Sequence, residues 1–114
     1  MSILLNKESR VVVAGITGRE GSFHTNLMMA YGTNVVAGVR PGKGGQMFTA
    51  DNGQDVPIFN TIRQAVEETA ANVAMIIVPP SAAPGSIIAA ADAGIDLAVC
   101  LTEYIPVIEM LKVR

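Results

Sequence analysis

The sequence predicts a doubly wound α/β domain, and three observations carry that expectation. Short runs that are apolar along their whole length alternate with helical patterns almost to the end of the 114 residues, the mark of parallel strands covered on both faces. A chain that is 50% hydrophobic and 16% charged can bury one core, and at this length a second domain would not fit. The first apolar run also empties into glycines spaced Gly15-x-x-Gly18-x-x-Gly21 ahead of a helical stretch, as where a strand turns into a helix at a ligand-binding edge.

Taken in order, Val11 to Ala14 reads as the first strand, and Ser22 to Tyr31 as a helix with Phe23, Leu27 and Ala30 or Tyr31 at helical spacing and Gly32 past its end. Val35 to Val39 is a second strand. It leads into Arg40-Pro41-Gly42-Lys43-Gly44-Gly45, a loop too rich in glycine to be regular, and Gln46 to Asp55 is expected to be a mobile polar loop. A short strand at Val56 to Phe59 precedes a helix capped by Asn60 or Thr61, with Ile62, Ala65, Val66 and Thr69 on one face. Ala74 to Val78 is the next strand, stopped by Pro79-Pro80. A helix from about Ala83 to Ala93 tolerates Pro84 in its first turn and ends at Gly94; Leu97 to Leu101 is the fifth strand, and Pro106 is expected to open a last helix. The expectation is a Rossmann-like parallel sheet in a single domain spanning residues 1–114.

Composition narrows the partners. A net charge of −2 with scattered lysines and arginines, two tyrosines and three phenylalanines builds neither a basic face nor a stacking platform, so no nucleic-acid partner is expected. One cysteine forms no internal disulfide, and no basic segment leads into a long apolar run with a cleavage site, so a cytoplasmic setting, or the mitochondrial matrix of a eukaryote, is expected. The apolar runs are too short to span a membrane.

In such a sheet, ligands bind beyond the carboxyl ends of the strands, so the loops that follow strands carry the chemistry. Those are Gly15 to Gly21, Arg40 to Gly45, Pro79 to Ser81, and Thr102 to Tyr104. In the first, backbone N–H groups and the positive end of a helix dipole meet at one point, and Thr17 and Arg19 add the hydroxyl and guanidinium that a phosphate favours. The same glycine spacing also serves a plain turn that needs positive φ. An NAD site has Asp or Glu after the second strand to hold the ribose 2′-hydroxyl; here Arg40 and Lys43 stand there, which points to an extra ribose phosphate. NADP and coenzyme A each have one.

The run Gly15-Ile16-Thr17-Gly18-Arg19-Glu20-Gly21-Ser22-Phe23-His24, followed by Tyr31-Gly32-Thr33, Val39 to Gly45, Pro57 to Thr61, Val78-Pro79-Pro80 and Leu101 to Pro106, resembles the N-terminal coenzyme A-binding domain of the succinyl-CoA synthetase α-subunit family. Malate–CoA ligase and related NDP-forming acyl-CoA synthetases share these blocks. The resemblance implies that Thr17, Gly18, Arg19, Glu20 and Gly21 meet the phosphates of coenzyme A and that Lys43 neutralises phosphate charge. It further implies that Leu101, Thr102 and Glu103 lie against the rest of the coenzyme and that Val78 and Pro79 line the same crevice. Arg40 departs from the family's usual small polar residue, and either adds a phosphate contact or points to solvent. Gln46 to Val56 is longer than the family pattern.

The resemblance also implies a further domain with a phosphorylated histidine, and partners in a β subunit or the remaining ligase domains. This chain alone is not expected to complete catalysis. His24 has no obvious acid partner and is not assigned the phosphohistidine role. No residue is expected to be catalytic and none to bind metal, and Cys100 reads as a small buried hydrophobe. Two other readings are an NADP-binding oxidoreductase fragment, which lacks a Tyr-x-x-x-Lys pair, and a free-standing coenzyme A-binding regulator or docking subunit.

Overall fold

Val11–Ala14 forms β1, and each of its four residues is buried because both faces of the strand are covered. The computed structural model describes residues 9–78, 83–102 and 105–110. After β1 come α1 (Arg19–Ala30), β2 (Val35–Val39), β3 (Met47–Thr49), β4 (Asp55–Phe59) and α2 (Ile62–Thr69), then β5 (Val73–Ile76), α3 (Ala83–Asp92), β6 (Leu97–Thr102) and β7 (Ile105–Met110). The strands make one sheet in the order β3-β4-β2-β1-β5-β6-β7. Its five central strands run parallel, and the two edges, β3 on β4 and β7 on β6, are antiparallel.

Successive residues of a strand point to opposite faces, so each strand feeds two cores. Val12, Ala14, Val39, Ile76 and Cys100 meet Ile62 and Ala65 of α2 and Ala90 of α3 on one face. Val11, Val13, Val35, Met75 and Val99 gather on the other with Ile16, against Met28 and Met29 of α1. This double coverage explains why the strands read as unbroken apolar runs.

Three elements differ from the sequence reading. Phe23, Leu27 and Tyr31, the apolar stripe of α1, face solvent at 60%, 44% and 84% exposure. The helix instead lies on Gly21 and Thr25, because its first half approaches the sheet too closely for a larger side chain, while Met28 and Met29 pack against the core further along. The expected mobile loop from Gln46 is a hairpin: Phe48 pairs with Val56 and Thr49 with Asp55, and Asp51 N–H donates to Asn26 Oδ1 at 2.7 Å, tying the tip to α1. Pro106 opens no helix. Ile105–Met110 is a strand whose Ile105 pairs with Thr102 and whose Met110 pairs with Leu97. Three β-branched residues, Ile105, Val107 and Ile108, favour this conformation. The open edge of β6 offers the backbone partners, and proline is tolerated on an edge strand.

Candidate functional site

The turn after β1 is shaped by close packing. Gly15 has φ +85°, and a Cβ there would overlap the Ile77 carbonyl oxygen; a Cβ on Gly21 would overlap the carbonyl oxygen of Gly15. Both glycines are therefore demanded by the protein itself. Gly18 is different: its φ is −73°, and a Cβ would meet nothing closer than Gly15 O at 3.5 Å. The space beside Gly18 belongs to a cavity of about 670 Å³, which Gly18 lines, a volume in the range of small-molecule sites. Gly18 is also the N-cap of α1 and brings no side-chain cap, so the first-turn N–H groups keep their donors available at the positive end of the helix, where the first turn also carries Glu20.

The cavity sits at the carboxyl ends of the strands. Its walls come from Ala14 and Gly15 at the end of β1, Val39, Arg40 and Pro41 at the end of β2, and Asn60, Thr61 and Ile62 where β4 passes into α2. Ile77 and Val78 after β5 and Gly85, Ser86 and Ala89 of α3 complete it. Arg40 crosses from one loop to another, its guanidinium donating to Thr17 Oγ1 at 2.8 Å. The glycine-rich loop beyond it is regular after all. Lys43 N–H returns to Arg40 O and Gln46 N–H to Lys43 O, two consecutive turns whose third residues, Gly42 and Gly45, have φ +85° and +90°, the pattern that requires glycine at that place.

Charge at this edge is mostly positive. Arg19, Arg40 and Lys43 are exposed, and among the described residues none has a carboxylate within ion-pair distance. Glu20 shares this edge, its Oε1 3.6 Å from His24 Nε2 one helical turn away, an ion pair only when the imidazole is protonated. His24 thus has a carboxylate neighbour that the sequence reading did not name. The spacing of four residues on a helix was the signal.

The family model described as "CoA binding domain" matches residues 6–104. The chain belongs to the CoA-binding domain family. It is 53% identical over all 114 residues to the succinate–CoA ligase (ADP-forming) subunit alpha of Aquifex aeolicus and 49% identical to that of Staphylococcus epidermidis strain RP62A, covering 36% of each. The chain therefore spans about a third of the length of these relatives. Among solved structures it is similar to a Rex-family repressor, with a TM-score of 0.66 at 17% identity over 93% of this chain and 48% of that one. Aspartate semialdehyde dehydrogenase II of Vibrio cholerae gives a TM-score of 0.61 at 17% identity over 83% of this chain and 31% of that one. These two likenesses concern the fold, which is Rossmann-like.

Within this CoA-binding domain, Gly18, Arg40 and Val78 line the cavity, and Thr17 is joined to it through Arg40. Arg19 and Glu20 are exposed on the first turn of α1, and Gly21 is buried beneath that turn as a packing contact. Lys43 stands on the neighbouring loop. Leu101 and Thr102 end β6 at the same sheet edge; Pro79 and Glu103 lie outside the described residues. Sequence reasoning missed Asn60, Thr61 and Ser86 as cavity residues. For the first two a signal was present, because they follow a parallel strand and so share the edge that the other loops occupy.

Proposed function

We propose that this domain binds coenzyme A, as a substrate rather than a resident cofactor, for an acid–thiol ligase of the succinate–CoA ligase type. The observation that carries the reading is the cavity at the strand ends, lined by Gly18 at the uncapped start of α1 and by Arg40, which Thr17 holds and from which the turn to Lys43 begins. In this reading the diphosphate rests on the N–H groups of residues 19–21 and the Arg40 guanidinium, the Gly18 N–H being taken by Gly15 O. Lys43 neutralises a further phosphate, and Val78 with the end of β6 guides the pantetheine away. A few charge-assisted hydrogen bonds of about 1.5–3 kcal/mol each would reach the roughly 8 kcal/mol of micromolar binding.

The chemistry of the ligase would need the remainder of an α-subunit-like protein and a β subunit, which are partners proposed from the relatives' names. Arg40 after β2 argues against NAD, whose ribose 2′-hydroxyl an acid would hold, but it suits the 2′-phosphate of NADP; coenzyme A is preferred over NADP because residues 6–104 match the CoA binding domain model.

The test is calorimetric titration of the 114-residue chain and its Lys43→Ala variant with coenzyme A and dephospho-coenzyme A. Lys43→Ala is expected to weaken coenzyme A binding by about 1.5–3 kcal/mol. Equal affinity of variant and parent would remove Lys43 from the site. If the lysine meets the ribose phosphate, its loss also erases the preference for coenzyme A over the dephospho form.

A further inference from the structure

Asn60 lies outside every residue that the sequence assigned to the ligand, yet its side chain organises the loop that bears Lys43. Its Oδ1 accepts from Gly42 N–H and from Gly44 N–H, each at 3.0 Å. Only the carbonyl oxygen of a carboxamide accepts, so these two donors fix which way the group is turned. The approach is close: a Cβ on Gly44 would lie 2.6 Å from Asn60 Nδ2. Lys43 sits between the two bonded glycines. Asn60 is itself anchored, since its N–H donates to Gln64 Oε1 at 3.3 Å and the next residue caps α2.

The two turns give the loop its shape, and backbone bonds tie its ends to β4, Arg40 N–H to Phe59 O and Gly45 N–H to Ile58 O, each at 3.0 Å; the Asn60 bonds fasten the stretch between, which carries Lys43. Gly42, Gly44 and Gly45 would otherwise leave the loop many conformations to lose. A lysine ammonium on its flexible stem is a point charge whose worth depends on where its backbone is held.

We infer that Asn60 is a positioning residue, fixing the Lys43 loop so that ordering it is not charged against ligand binding. The inference rests on the coenzyme A reading. Its test is a double-mutant cycle: coenzyme A is titrated into the full chain, Lys43→Ala, Asn60→Ala and the double variant. Exchange of the Gly42 and Gly44 amides is followed without ligand.

Asn60→Ala is expected to speed exchange at both amides and to weaken coenzyme A binding about threefold to tenfold. In the Lys43→Ala background it is expected to cost nothing more. Gly44→Ala, which crowds the same carboxamide, should reproduce the loss. An equal loss with and without Lys43 would mean that Asn60 touches the ligand itself, and undiminished binding by Asn60→Ala would mean that the loop needs no fastening; either overturns the inference and leaves the coenzyme A reading standing. Absence of coenzyme A binding by the parent chain would overturn both.

Discussion

Of the glycines, Gly21 leaves the least room for a side chain: a Cβ there would overlap the carbonyl of Gly15, where α1 starts beyond the end of β1. Thr25, one turn on, continues the contact and returns its hydroxyl to Gly21 O at 2.6 Å, while Ser22 Oγ reaches back to Ile16 O at 2.9 Å. A methyl group at Gly21 meets backbone rather than a side chain that can swing away. Gly21→Ala should therefore cost about 1–3 kcal/mol in denaturant unfolding, the usual range for overpacking. A loss under half a kilocalorie would mean that α1 can ride higher than the structure places it. Cys100 makes a different prediction. Burial pushes its thiol above the ordinary value of 9.0, so the neutral form is favoured in the folded chain and the unfolded chain ionises first. Stability from this source is present below pH 9.0 and is lost as pH rises from there through the folded value. Unfolding midpoints between neutral and alkaline pH should fall more steeply for the parent than for Cys100→Ala.

At the scale of elements, α2 has the clearest start signal. Thr61 Oγ1 accepts from Gln64 N–H at 3.0 Å, and Gln64 Oε1 in turn accepts from Asn60 N–H, a reciprocal cap one residue wider than the usual box. Thr61→Ala should destabilise the domain by about 1 kcal/mol, read as a lower unfolding midpoint. Such local chemistry was legible in the sequence: strands β1, β2 and β6, the cap of α2 and the glycine stops at Gly32 and Gly94 all stand within a residue or so of their expected places. What was not legible depended on contacts distant in the chain. The face of α1 on the sheet is made of Gly21 and Thr25 with Met28 and Met29, so the stripe of Phe23, Leu27 and Tyr31 pointed the wrong way. The β3–β4 hairpin is held by cross-strand pairs and by Asn26, which no local pattern announces. The run Ile105–Met110 has both a helix-opening proline and strand-forming β-branched residues, and the free edge of β6 decides between them. At the site, the glycine turn and Lys43 could be singled out by type and spacing, whereas Asn60 acquires its role only when β4 brings it beneath the lysine loop.

For the whole molecule, the parallel sheet matters because it delivers five strand ends to one edge, where loops from distant parts of the chain share a cavity. The chain has a net charge of −2, yet Arg19, Arg40 and Lys43 lie on the helix start and loop at that edge, where the carboxylate among the described residues of these segments is Glu20, 3.6 Å from His24. The field that an anion meets is thus local and opposite in sign to the net charge. The central claim is that this edge takes coenzyme A and not a nicotinamide dinucleotide. The most direct measurement is a calorimetric titration of the same preparation with coenzyme A and, separately, with NADPH. The account predicts one molecule of coenzyme A bound per chain at roughly micromolar affinity, with no heat of binding for NADPH; saturable binding of NADPH with none of coenzyme A would contradict it.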